Sequence, residues 1–358
     1  MGLVEHGGNR WRAGLLYGRE PGTFLDFSAN LNPLGPPPGL EDWLAARMQE
    51  AAYYPDPEYR RLKSVLKEHL SASGAVVVGN GAVELICLLP LLLRPNTVLV
   101  VEPGFGEYAA AARAAGARVR QLVLSPSCGF VLRPEELEAK LRGTEMCFIG
   151  WPNNPTGNFP LAPGDLEAVI ARHPECLFVV DESFMDFVLP PGAASLAGAV
   201  HRLANLCVLY SLTKFFALPG LRLGCAVTSQ ALAERLEQGS PPWRVNVMAA
   251  RAGEYVLEQR GYAEYTRSVI HGERTLLSQG LRELGYSPFP AEANFVLIHL
   301  GRGTQGQELE VELGRRGLLI RRCASFTGLD DRFIRVAVRL RWENARLLRA
   351  LEEVGGRK

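Results

Sequence analysis

What this 358-residue chain lacks narrows its chemistry before any motif is read. It has no excess of charge: Lys and Arg number 39 against 38 Asp and Glu, a formal net charge of +1. Such a balance leaves no electrostatic footprint for nucleic acid or an anionic membrane surface, so the basic residues that matter must be few and local. A long hydrophobic run is missing too. The longest, Leu85 to Leu93, contains Pro90 and stops at Arg94, far short of the ~20 residues of a membrane span. Met1 to Asn9 has neither a basic region nor an apolar stretch, which argues against a secretory leader. Cys87, Cys128, Cys147, Cys176, Cys207, Cys225 and Cys323 are odd in number and never spaced as Cys-x-x-Cys. Several sit in apolar runs, where a thiol behaves as a small hydrophobe. No disulfide framework is expected, and a reducing, cytoplasmic setting is. The 6 histidines show no metal-ligand spacing, so no metal is expected. What is present is ordinary: 47% hydrophobic and 22% charged residues, enough for a sizeable core and too apolar for a disordered chain.

Residues 1–40, rich in Gly, Pro and Asn, read as an extended N-terminal arm rather than a packed domain. From about residue 60 the pattern changes. Short β-branched runs recur at Val76–Val78, Val98–Val101, Val119–Leu124, Met146–Ile149, Leu177–Val180, Leu206–Leu209 and Leu223–Val227. Helix-like stretches such as Ala82–Leu92, Glu107–Ala115 and Asp165–Arg172 lie between most of them. Buried strands alternating with helices predict an α/β fold built on a mostly parallel sheet covered on both faces. We assign residues 41–240 to this large domain. After Ser240–Trp243 come helical stretches, strands at Phe295–Ile298, Leu318–Ile320 and Phe333–Val338, and a closing amphipathic helix. Residues 241–358 are read as a smaller α+β domain.

In open α/β sheets, ligands bind beyond the carboxyl ends of the strands, and there the polar residues of this chain gather. Gly81 and Ala82 follow the first strand in a glycine turn that opens a helix, a place where backbone N–H groups can hold phosphate. Taken alone, that glycine serves a turn equally well. Tyr108, just inside the next helix, reads as packing on its own. Trp151–Gly157, WPNNPTG, is sharper: prolines bracketing Asn153 and Asn154 are a costly way to build a generic loop. Asp181 ends another apolar strand, where a buried carboxylate needs a cationic or donor partner, although a helix N-cap would also account for it. Ser211, Lys214 and Arg222 follow the strand at 206–209 among apolar neighbours. Lys214, directly before Phe215 and Phe216, would be partly desolvated, which lowers its pKa and suits it to Schiff-base chemistry.

PNNPTG, then Asp181-Glu182, then Ser211-x-x-Lys214 with GLRLG to Gly224, in this order, resembles fold-type I pyridoxal-phosphate enzymes of the aspartate aminotransferase superfamily. The likeness runs from Tyr54 to the C-terminal arginines, and it implies roles. Lys214 would carry pyridoxal 5'-phosphate, and Asp181 would pair with its pyridine nitrogen so that the ring acts as an electron sink. Asn154 would donate to the phenolic oxygen and Tyr108 would stack on the ring. Ser211, Arg222 and the Gly81–Ala82 backbone would bind the cofactor phosphate. Tyr54 would reach that phosphate from a partner chain, so a homodimer with a shared site is implied. One departure is Phe184, where many relatives carry Tyr.

Within the superfamily the chain is similar to two groups, histidinol-phosphate aminotransferases and the threonine-phosphate decarboxylases of cobalamin biosynthesis. His6-Gly7-Gly8-Asn9, the run Asp26–Gly35, Asp181–Phe187 and Pro242–Asn246 look like the decarboxylases. That resemblance implies decarboxylation of L-threonine O-3-phosphate to (R)-1-amino-2-propanol O-2-phosphate. His6, Gly7, Asn30, Asn154, Arg321 and Arg335 would bind a substrate with two anionic groups, the arginines as bidentate clamps. A ligand-sensing regulator on the same fold would need a DNA-binding module ahead of it, for which residues 1–40 leave little room.

Overall fold

The computed structural model describes residues 6–301 and 304–355; residues 1–5, part of the stretch read as lacking a leader, lie outside it. The arm departs from the extended segment expected. Arg10–Tyr17 forms a helix, capped by Asn9, whose side chain accepts from the Arg12 amide at 2.9 Å, and closed by Gly18. An Asn N-cap and a terminal Gly select helix here although the segment has no strong apolar period. Strand β1 (Leu25–Asp26) follows it.

Seven strands form the large sheet: β2 (Ala75–Gly79), β3 (Thr97–Glu102), β4 (Arg118–Val123), β5 (Met146–Gly150), β6 (Leu177–Asp181), β7 (Leu206–Ser211) and β8 (Gly224–Thr228). Their spatial order is β2-β8-β7-β6-β5-β3-β4, and only β8 runs antiparallel to its neighbours. The pleat explains the apolar runs. Val76, Val78, Leu99, Val101, Ile149 and Val180 enter the core on one face, while Val77, Val98, Val100, Phe148 and Val179 enter the other. A sheet covered on both sides needs apolar residues at every position, which is why these strands read as continuous rather than alternating.

The chain then turns to β9 (Ser287–Pro288), β10 (Phe295–His299), β11 (Leu318–Leu319), β12 (Arg321–Arg322) and β13 (Phe333–Ala337). Strands β12-β13-β10-β9 make a small antiparallel sheet, and β11 pairs in parallel with β1, stitching the arm to this part of the chain. Helix Val247–Leu257 packs on helix Arg60–His69, so the segment just after residue 240 lies against the large body. Among the described residues no helix is long and apolar enough to cross a membrane.

Candidate active site

The carboxyl ends of β3, β5, β6 and β7 meet the small sheet and the arm around a cavity of about 790 Å³. Each of those ends contributes a group. Asp181 closes β6; its Oδ1 accepts from the Ser183 amide at 2.9 Å and its Oδ2 from the Tyr108 hydroxyl at 2.7 Å. Tyr108 is buried with its ring stacked on Phe148, centroids 5.1 Å apart. Burial, with Asp181 adding to it, pushes this phenol well above its ordinary range, so it acts as a donor. The loop after β5 divides the paired asparagines. Asn153 Nδ2 donates to the Pro103 carbonyl at 2.8 Å and to Thr156 Oγ1 at 2.9 Å, binding two strand-end loops together. Asn154 faces the cavity, and its Oδ1 accepts from Arg335 Nη1 in a close contact.

Lys214 sits in the short helix Leu212–Phe215 directly after β7. Burial first, then the charges of Arg335 and Arg222, push its ammonium from 10.5 down to about 8 against the opposing pull of Asp181. Asn32 holds this helix. Its amide N–H donates to the Lys214 carbonyl at 3.0 Å and its Nδ2 to the Phe215 carbonyl at 2.8 Å. Arg222 also lines the cavity. Gly81, at φ 79°, comes so close to it that a Cβ there would stand 2.6 Å from Arg222 Nη2. The glycine turn, the start of helix Ala82–Leu93 and one guanidinium therefore form a cradle of donors suited to a phosphate.

The small sheet supplies the other cations. Arg321 and Arg335 are register partners on β12 and β13, and each is 5% exposed. Like charges directly opposite each other destabilise a sheet unless something neutralises them. Arg335 Nη2 donates to the Ser28 carbonyl at 2.8 Å, and its Nε has no partner among the described residues. Burial, with Arg321 adding to it, pushes Arg335 down to about 10. Asn30 is buried in the cavity wall, and its Oδ1 also has no partner among the described residues.

The arm reaches this place along Ser28. A Cβ on Gly7 would lie 2.1 Å from the Ser28 carbonyl oxygen, so only glycine fits, and the Gly8 amide donates to Ser28 Oγ at 2.8 Å. His6 ends beside Glu107, Nε2 to Oε1 2.7 Å, with its ring tilted on Phe105.

The cavity thus brings together His6, Gly7, Asn30, Tyr108, Asn154, Asp181, Lys214, Arg222, Arg321 and Arg335. Three expectations sit differently. Ser211 is buried and caps its own helix, its Oγ accepting from the Thr213 amide at 3.3 Å, and it does not line the cavity. Gly81 and Ala82 stand behind the lining, where Val83 takes their place. Tyr54 lies elsewhere on the single chain, 77% exposed and stacked on Trp243 with centroids 4.3 Å apart. Sequence reasoning missed Glu102, whose carboxyl burial pushes up to about 7, as well as Ser28, Glu107 and Ser325. The position of Glu102 at the end of β3 was the available signal for it. Phe184 also lines the cavity, its ring edge-on to Phe295.

The model of class I and II aminotransferases matches residues 23–352. The chain belongs to that family. It is 36% identical over 98% of its length to a threonine-phosphate decarboxylase of Salmonella typhimurium, 96% of which is covered. It is 31% identical over 99% of its length to a bifunctional adenosylcobalamin biosynthesis protein of Leptospira interrogans, of which it spans 41%. The solved histidinol-phosphate aminotransferase of Clostridium acetobutylicum superposes with a TM-score of 0.87 at 30% identity, covering 93% of this chain and 99% of that one. The chain is a pyridoxal-phosphate enzyme. The site fits that cofactor: a cavity-facing lysine with a lowered pKa, a carboxylate, and a cradle that a Cβ would fill.

Proposed function

We propose that this chain decarboxylates L-threonine O-3-phosphate to (R)-1-amino-2-propanol O-2-phosphate, a step of cobalamin biosynthesis. The observation that carries this reading is the side-by-side burial of Arg321 and Arg335. Two buried cations in register suit a substrate with two anionic groups, a carboxylate and a phosphate. Arg335 Nε and Asn30 Oδ1, without partners among the described residues, add a donor and an acceptor at the same wall.

Lys214, Asp181, Asn154, Tyr108 and Arg222 would hold the cofactor from the cavity wall, with Ser211 and the Gly81–Ala82 backbone, outside that lining, as further donors to its phosphate. When bound, it supplies a protonated aromatic ring that accepts the electron pair of the broken bond. The protein does the rest. Asp181 would pair with the ring nitrogen, and the Tyr108 hydroxyl, 2.7 Å from its Oδ2, fixes the direction of that carboxylate. Arg335, steered by Asn154 and Ser28, turns the substrate carboxylate, and that orientation decides which bond at the α-carbon breaks. Lys214, poised at about 8, can return a proton to that carbon near neutral pH. His6 and Gly7 would bring the arm over the substrate, excluding water. Phe184 offers no hydroxyl to the cofactor's phenolic oxygen.

A homodimer follows in this reading, with Tyr54 serving the partner's site, since the single chain leaves it exposed beside Trp243. The arm to residue 40, a large domain and a small domain are its working parts, and a cytoplasmic setting fits the free cysteines. The likeness to histidinol-phosphate aminotransferases keeps transamination as the competing reading. Incubation with O-phosphothreonine, scoring carbon dioxide against 2-oxo acid, separates the two. Efficient cycling with histidinol phosphate and no carbon dioxide would refute decarboxylation and leave the family assignment standing.

A further inference from the structure

One stretch of cavity wall has no part in the chemistry above. Gln121, Ser325, Phe326 and Thr327 line it, the first from the large sheet and the other three from the loop after β12. The loop after β12 flanks the Arg321 side chain: Nη2 donates to Ser325 Oγ at 2.6 Å, and the guanidinium carbon stands 5.2 Å from the centre of the Phe326 ring. The next two residues of that loop rest on the large sheet. Thr327 Oγ1 accepts from Gln121 Nε2 at 3.2 Å. Gly328, at φ 85°, sits so close that a Cβ would lie 2.5 Å from Val123 Cγ1. Gln121 and Val123 both belong to β4, the edge strand. Glu102 completes the arrangement. Its Oε1 accepts from the same Gln121 amide at 3.4 Å, and its Oε2 accepts from the Gly104 N–H at 2.6 Å. An amide has two N–H donors, so one end of Gln121 can serve Thr327 and Glu102 together.

We propose that Gln121 is a positioning residue for Arg321: its amide seats Thr327 on β4 and thereby sets where the loop holds the Arg321 guanidinium over the cavity. The proposal rests on the reading of Arg321 as a substrate-anion group. An arginine carries many rotatable bonds, and a displacement of about 1 Å at a binding group is enough to weaken substrate orientation. Ser325 and Phe326 restrain the guanidinium relative to the loop, and the Gln121 contact restrains the loop relative to the sheet that carries Lys214 and Asp181.

The test compares Gln121→Leu, Thr327→Val, their double variant, Thr327→Ser and Arg321→Ala in the holoenzyme, with O-phosphothreonine as substrate. Loss of one neutral hydrogen bond should raise KM roughly three- to tenfold in Gln121→Leu and in Thr327→Val. The double variant should be no worse than Gln121→Leu, because that change alone already breaks the contact to Thr327. Thr327→Ser should retain wild-type KM, and kcat, the cofactor absorption band and thermal stability should hold in the Gln121 and Thr327 variants. An unchanged KM in Gln121→Leu beside a strongly raised KM in Arg321→Ala overturns the proposal alone. An unchanged KM in Arg321→Ala overturns the anion reading and the proposal with it. A fall in kcat together with a lower melting temperature in Gln121→Leu marks a general structural role, and that also overturns it.

Discussion

Replacing Lys214 with Met in the cofactor-free protein should reveal how much the buried ammonium costs the fold. The folded-state pKa is about 8, below the ordinary 10.5. Between those values the unfolded chain binds a proton that the folded chain has released, so this lysine's contribution to stability rises with pH. Below pH 8 the folded protein bears the full penalty, about 3 kcal/mol at 1.36 kcal/mol per pKa unit. Lys214→Met has no such titration, while the other ionisable groups are common to both proteins and cancel in the difference. Urea unfolding followed by tryptophan fluorescence should therefore show Lys214→Met gaining most over wild type at pH 7. That gap should shrink by about 2 kcal/mol by pH 9.5. Arg335 is the next cause after burial, so in Arg335→Gln the pH midpoint for chemical modification of Lys214 should move up toward 10.5. A gap that stays flat from pH 7 to 9.5 would refute the argument. The depressed value has a use: at pH 7.5 about a quarter of Lys214 is neutral, against about one in a thousand for an unperturbed lysine, and only the neutral amine can capture an aldehyde.

Other outcomes are equally open to measurement. Borohydride reduction of the yellow holoenzyme should fix the cofactor on the peptide containing Lys214; label on another lysine would sink the assignment. Arg335→Ala should lower kcat/KM for O-phosphothreonine by the equivalent of about 2–5 kcal/mol, the loss expected when a buried anion is left without its charged partner; retained turnover would exclude Arg335 from substrate binding. Gly7→Ala should act like deletion of residues 1–9, because the added Cβ would stand 2.1 Å from the Ser28 oxygen. Both should keep the cofactor and depress decarboxylation, and normal rates in both would show that the arm is idle. Mixing Lys214→Ala chains with Tyr54→Phe chains should restore activity in part of the heterodimers, whereas a fully active monomer in sedimentation would rule out the shared site.

Much of this was legible before the fold was known. Runs such as Val98–Val101 and Leu206–Leu209 lie in β3 and β7, since a strand covered on both faces must be apolar throughout. Lys214 and Asp181 stood out because a charged residue inside an apolar stretch requires a chemical reason. The arm was less legible. Its helix depends on Asn9 and Gly18 as local caps, and its docking depends on an approach of Gly7 to Ser28 so close that a Cβ would stand 2.1 Å from the carbonyl oxygen, which no composition reveals. The near-identical pairs were split by tertiary contact: Asn153 ties two loops while Asn154 faces the cavity, and Asn32 holds the Lys214 helix while the Asn30 oxygen has no partner among the described residues. Sequence alone determined which residues could do chemistry, because side-chain type and apolar context are local properties. Only the tertiary structure decided which of them meet. The pairing of Arg321 with Arg335, 14 positions apart, is a matter of strand register, and a slip of one residue would turn one guanidinium to the opposite face of the sheet.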